Sequence, residues 1–189
     1  MLQYLVIVGA AVQLYGIWFY IRDTIKGKTQ PNRVTWLLWS IAPMIATFAA
    51  FSSGVRWAIL PVFMSGFAPF LVFVASFANS KAYWKLGRLD YICGFFSLLA
   101  LVLWGITKEP VIAIVFAIAS DALAAAPTLF KAWLYPETET STAYSTGAFN
   151  ALTGFAAVKL WIFSQYGFTI YLVLINLLIL LTINRKKFF

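Results

Sequence analysis

Long apolar stretches alternate with short polar ones along the whole chain. Met1 to Ile21 is apolar, with Gln13 and Gly16 in its middle, and is long enough to cross a bilayer as a helix, which takes about 20 residues. A polar segment from Arg22 to Arg33 follows, then a second apolar stretch from Val34 to Phe51 that holds Trp36, Trp39, Ser40 and Pro43. After the turn Ser52-Ser53-Gly54, a third runs from Trp57 to Ala78, broken by Pro61 and Pro69 and loosened by Ser65-Gly66. A basic segment with Lys81, Lys85 and Arg88 leads to a plain fourth stretch, Tyr91 to Ile106, containing Cys93. The fifth spans Pro110 to Tyr135, with Pro110 in a first turn that tolerates proline. The sixth spans Thr142 to Phe163 and the seventh Phe168 to Ile183. The pattern predicts an all-α integral membrane protein with seven transmembrane helices.

Composition supports that class. The chain is 62% hydrophobic and 11% charged, whereas a soluble domain carries about a quarter charged residues. Its mean hydropathy is +0.86, and aromatics at 19% suit interfacial belts and tight helix packing. Histidine is absent and Cys93 is the single cysteine, which excludes an intrachain disulfide, a cysteine-based zinc site and histidine acid–base catalysis. The net charge of +8 reads as basic cytoplasmic loops, not as a nucleic-acid surface. No basic segment precedes the first apolar run, so a cleaved signal peptide is not expected.

Charge also orients the chain. With the N-terminus outside, Arg22, Lys26, Lys28, Arg33, Lys81, Lys85, Arg88, Lys131, Arg185, Lys186 and Lys187 are cytoplasmic. Only Arg56 and Lys108 then lie outside, and Lys159 falls within the sixth span as a snorkelling lysine. Eleven cations against two fix the N-terminus outside and the C-terminus inside.

The first and fifth spans each lead through a cation and a linker of similar length into a span rich in aromatics and small polar residues. Each group of three closes on an apolar span, with the fourth as linker. The expected arrangement is 3+1+3, two parallel triple-helix bundles: residues 1–79, a basic loop and linker span over 80–108, and residues 109–189 with a basic tail.

The chemistry concentrates between Ser120 and Asn150. Asp121 lies about halfway along the fifth span, where a carboxylate must be protonated, paired or facing water. It is a candidate for substrate or proton binding, the alternative being a neutral carboxyl bonded between helices. Pro127 removes a donor and clashes with the carbonyl of Leu123, so a kink is expected there, with Pro43, Pro61 and Pro69 as counterparts in the first half. Thr142, Thr146, Asn150 and Thr153 share one face of the sixth span, read as cavity lining ahead of packing glue. The row Gly147, Ala151, Gly154 and Ala157 beside it reads as close helix packing. Trp36 and Trp39 read as interfacial anchors ahead of sugar stacking, and Cys93 as a packing residue.

Pro127-Thr-Leu-Phe-Lys131, Ser141-Thr-Ala-Tyr144, Phe149-Asn150 and Gly154 together resemble the second repeat of SWEET and SemiSWEET sugar transporters, of the PQ-loop superfamily of triple-helix bundles. In the first half, Gln30-Pro31-Asn32 reads Gln-Pro where the family has Pro-Gln. The resemblance implies a pocket asparagine at Asn176, and Ser65-Gly66 stands near where the other would fall. The expected function is a transporter moving a small polar solute by alternating access through a central cavity. Asn150, Asn176, Asp121, Thr146, Thr153 and Ser65 are its candidate contacts, and Pro127, Pro43 and Pro69 its hinges. The alternative is a seven-helix receptor or sensor that binds without transporting. A retinal photoreceptor is disfavoured because the seventh span has no lysine. No enzyme activity, cofactor or metal is expected. The expected partners are the lipid bilayer of the plasma (inner) membrane, a small-molecule substrate and protons; homo-oligomerisation is open and nucleic acid is not expected.

Orientation is directly testable. In intact cells, Lys28→Cys is expected to resist a membrane-impermeant thiol reagent added outside and to react after permeabilisation; reaction in intact cells would reverse the topology.

Overall fold

The computed structural model describes residues 4–52, 57, 59–80, 82, 84–106, 110–158 and 161–187. Among the described residues every regular element is helical and no strand occurs. Seven α-helices follow one another: α1 Leu5–Ile25, α2 Arg33–Ser52, α3 Ile59–Ala75, α4 Arg88–Ile106, α5 Pro110–Leu134, α6 Ser141–Gly154 and α7 Phe163–Asn184. Three stretches are long and apolar enough to cross a membrane, Leu5–Ile25, Ile114–Leu134 and Tyr166–Asn184, and Leu60–Ala75 is a shorter apolar helix.

The outward faces suit hydrocarbon. Trp18, Phe95, Leu174 and Leu178 are exposed, with many other large apolar side chains, and a soluble monomer rarely shows apolar surface on that scale. The interior instead collects small and hydroxyl-bearing residues such as Ala68, Ala125, Thr24, Thr35, Ser97 and Thr128, the composition that lets helices approach closely in lipid.

Some boundaries depart from the hydropathy pattern. Arg22 and Asp23 close α1 and are not loop residues, and α7 begins at Phe163, so its first turn takes in the expected connection. The sixth span is the largest departure: its α-helix has 14 residues and ends at Gly154, with a 3-10 turn over Phe155–Ala157 and extended backbone at Val158. Threonine and glycine are weak helix formers, and both crowd this segment. Fourteen residues rise about 21 Å, less than the ~30 Å hydrocarbon core. Pro61 stands in the first turn of α3 and leaves it intact, while α2, α3 and α5 continue through Pro43, Pro69 and Pro127.

Packing does not follow chain order. α3 packs against both α1 and α2, and α7 against both α5 and α6, whereas the consecutive pairs α1–α2 and α5–α6 do not pack closely. α1 lies along α6, α2 meets α5, and α4 lies on α5 with a smaller contact to α2. Polar pairs fix these contacts. Ser97 Oγ donates to Ser120 O (2.7 Å) and Ser120 Oγ to Ser97 O (2.9 Å), stapling α4 to α5. Thr35 Oγ1 donates to Ala124 O (2.7 Å) between α2 and α5. Asn32 precedes α2, and its Oδ1 accepts from Val34 N (3.1 Å) and Thr35 N (3.3 Å), the satisfaction a helix start requires. Its Nδ2 donates to Asp90 at the start of α4.

The α1–α6 contact depends on two notches. A Cβ at Gly16 would stand 1.9 Å from Thr146 Oγ1, and one at Gly9 would stand 2.2 Å from Thr153 Oγ1. Both pairs are seven residues apart, two helical turns, and their order shows α1 and α6 running antiparallel. Gly16→Ala is expected to lower the melting temperature of the detergent-solubilised protein, equivalent to about 1–3 kcal/mol of overpacking. Gly16→Ala/Thr146→Gly moves the notch to the other helix and is expected to recover most of the loss; equal losses in both variants would show that the notch is not the constraint.

Candidate functional site

The two polar linkers meet at one end of the bundle. Gln30 N donates to Thr138 O (3.0 Å), and Thr140 Oγ1 to Asp23 Oδ2 (3.0 Å). Beneath them lies a buried charge pair, Lys131 of α5 with Glu139 of the second linker, both side chains fully enclosed. Lys131 Nζ also donates to Gln30 O and lies 5.6 Å from the Trp84 ring centre. The other oxygen of Glu139 accepts from Tyr20 OH and Tyr144 OH, each at 2.8 Å. Five segments thus converge on one carboxylate, directly or through Lys131. Sequence reading treats Lys131 as one more cytoplasmic loop cation; burial corrects that, because Lys131 is 1% exposed.

Tyr144 also belongs to the neighbouring cavity. That cavity has a volume of about 60 Å³ and draws its lining from α1, α2, α3, α5, α6 and α7, none of it from α4. Its polar lining comprises Gln13, Trp36, Trp39, Ser65, Asp121, Tyr144, Asn150 and Asn176. Three polar atoms in this lining are buried without a hydrogen-bond partner: Gln13 Oε1, Trp36 Nε1 and Asn150 Oδ1. Buried polar atoms are nearly always paired, so such a cluster calls for a ligand or water.

The candidate residues divide between cavity and packing. Asp121 Oδ2 accepts from Tyr171 OH at 2.6 Å. Asn150 Nδ2 points to Pro61 O at 3.4 Å, long for a good bond. Asn176 Nδ2 donates to Leu172 O at 2.8 Å, and its side chain sits over Gly147, where a Cβ would come 2.7 Å from Oδ1. Ser65 Oγ is returned to Val62 O (2.7 Å), and Pro69 lines the cavity beside it.

Thr146 and Thr153 are elsewhere. They fill the α1 notches, and their hydroxyls bond back to Thr142 O (2.9 Å) and Asn150 O (2.7 Å) of their own helix. The shared face in the sequence is real, but its threonines turn toward α1, not into the cavity. Pro43 and Pro127 lie outside the lining. Lys159 lies outside the described residues.

Gln13, Trp36, Trp39 and Tyr144 complete the lining and are absent from the sequence-derived contacts. The tryptophans are buried, not interfacial: Trp36 is 3% and Trp39 9% exposed. They form a ring cluster with Tyr20, with Tyr20–Trp36 centroids at 4.9 Å and Trp36–Trp39 at 5.3 Å. Trp39 Nε1 donates to Asp121 O at 3.3 Å, joining α2 to α5. Their three-residue spacing in the sequence placed both on one helix face; only which way that face turns was missing. Among the described residues no cluster of three or more His, Cys, Asp or Glu could hold a metal.

An all-helical chain with three helices long and apolar enough to cross a membrane, packed around an internal polar cavity, points to the broad class of helical membrane proteins. The chain matches no protein-family model, no curated protein and no solved structure.

Breaking the buried pair on one side leaves an uncompensated charge, a cost of about 3–5 kcal/mol. Lys131→Met is therefore expected to lower the melting temperature sharply, and Lys131→Met/Glu139→Gln to recover much of it. Additive losses in the double variant would show that the two side chains are not coupled.

Proposed function

We propose that the chain is a membrane carrier that moves a small polar solute through this cavity by alternating access. The observation that carries the reading is a cavity built from six helices, with unpartnered buried polar atoms in its wall and a charged seal at one end. A cavity of about 60 Å³ is several times the roughly 10–15 Å³ that a single water needs, so it has room for water or a small polar group.

The packing pattern supports a 3+1+3 reading. Exchanging α1, α2 and α3 for α5, α6 and α7 carries α1–α3 onto α5–α7 and α2–α3 onto α6–α7, all close contacts, and the extensive α1–α6 contact onto the smaller α5–α2 one. The chain then consists of two parallel triple-helix units with α4 as linker, seven spans in all, the N-terminus outside and the plasma membrane as its site. This is the arrangement that the resemblance to SWEET and SemiSWEET transporters implies. In this reading Asn150, Asn176, Asp121 and Ser65 contact the solute, joined by Gln13, Trp36 and Trp39. Bending occurs at Pro43, Pro69 and Pro127, and the Lys131–Glu139 assembly is the cytoplasmic seal.

Alternating access can be tested without knowing the solute. Ala151, in the cavity wall, is replaced by cysteine in a Cys93→Ser background and exposed to an impermeant thiol reagent in right-side-out and inside-out vesicles. Labelling from both sides is expected, and adding Glu139→Gln should accelerate cytoplasmic labelling while slowing external labelling. Access from one side alone, unchanged by Glu139→Gln, would overturn the carrier reading.

A further inference from the structure

We propose that the solute taken by this cavity carries a protonated amine, with Asp121 as its counterion. The inference rests on the cavity being the solute site and identifies the chemical class of that solute.

Charge is the first ground. Asp121 is 8% exposed and lines the cavity, and its bond from Tyr171 is a neutral one. Among the described residues no basic one occurs in the lining. The cations near the seal are engaged elsewhere. Lys131, ten residues further along α5 and so about 15 Å away along its axis, is paired with Glu139. Arg33 donates to Ser76 and lies over the Phe77 ring, and Arg185 donates to the carbonyls of Ala132 and Thr182. A carboxylate enclosed at membrane depth needs an opposite charge or a proton. Among the described residues no side chain pairs with it as an ion, and a cationic ligand would supply that charge.

The hydrogen-bonding inventory is the second ground, independent of charge. Gln13 Oε1 and Asn150 Oδ1 are buried, unpartnered acceptors in the same wall. Asn150 turns its nitrogen end to Pro61 O, and its oxygen stands beside Gly9 of α1 at the edge of that wall. With Asp121, the unpartnered acceptors of this wall outnumber its unpartnered donors, of which Trp36 Nε1 is one among the described residues. An ammonium group has three N–H donors and no acceptor, the complement of that set. The Trp36 N–H then calls for an acceptor elsewhere on the solute, such as a hydroxyl oxygen. Two indoles in the lining, those of Trp36 and Trp39, add faces that attract a cation.

The test uses the purified full-length protein in nanodiscs at constant ionic strength. The probes are ethanolammonium, its neutral counterpart ethylene glycol, and tetramethylammonium, which has the charge without the N–H donors. Binding is read by thermal shift and by tryptophan fluorescence. Ethanolammonium is expected to bind, ethylene glycol not to, and tetramethylammonium to bind more weakly than ethanolammonium. Asp121→Asn is expected to weaken ethanolammonium binding about tenfold to a hundredfold, the range for hydrogen bonds to a charged group.

The wild-type comparison alone decides the matter should Asp121→Asn fail to fold. Equal binding of ethylene glycol and ethanolammonium, no binding of any ammonium probe, or an undiminished response in folded Asp121→Asn would each overturn the inference. The last two leave a proton as the carboxyl's partner. Failure here leaves the carrier reading intact, because two-sided labelling at residue 151 does not depend on the solute. Loss of two-sided labelling with ammonium binding retained would instead leave a binding protein that does not transport.

Discussion

The carboxylate of Glu139 organises the structure around it. One oxygen meets the Lys131 ammonium and the other receives two phenol protons, from Tyr20 and Tyr144. Those partners come from α5, α1 and α6, and Gln30 brings the first polar linker to the same ammonium. Each charge is enclosed, so neither is tolerable without the other. Such a pair is weak evidence for stability, since apolar groups of equal volume often do as well. What it supplies is position: α1, from the first half of the chain, meets α5 and α6 there in a single arrangement.

Away from the seal, polar groups are satisfied locally and steric fit takes over. Thr146 and Thr153 return their hydroxyl protons to their own helix and present their sides to Gly16 and Gly9. Serine and threonine commonly bond back this way inside helices, and in lipid the habit removes the cost of an unpaired hydroxyl. The contrast with Asn150 is instructive. Its Oδ1 has no partner, and Gln13 Oε1 and Trp36 Nε1 share that condition. Unsatisfied atoms beside satisfied ones call for a ligand or water.

Hydropathy made the helices legible because apolar runs of about 20 residues leave few other structures open. It blurred where the chain is neither uniformly apolar nor a good helix former, as after Gly154. Asp121, Asn150, Asn176 and Ser65 were legible as polar residues in apolar runs, and all four line the cavity. The direction of a face is a different kind of information. Trp36 and Trp39 have one spacing whether they face headgroups or a cavity, and the choice is made by Tyr20 and Asp121, distant in sequence. Lys131 and Glu139 look like ordinary linker charges for the same reason, since only tertiary contact shows that they are enclosed together.

One further relation binds the two sites. Asp121 stands six residues before Pro127 and Lys131 four residues after it, all on α5. The cavity carboxylate and the cation of the seal are thus carried by one helix on opposite sides of its weakest point, where the Leu123 carbonyl has lost its usual helical donor. Thr35 and Thr128 bond beside that point and tie it to α2. A bend at Pro127 cannot move Lys131 away from Glu139 without changing its direction relative to Asp121. Tyr144 gives the same linkage by a second route, with its ring in the cavity wall and its hydroxyl on Glu139. The cavity wall and the Glu139 assembly are therefore mechanically connected through α5 and α6: a displacement of Tyr144 or Asp121 bears directly on the bonds around Glu139.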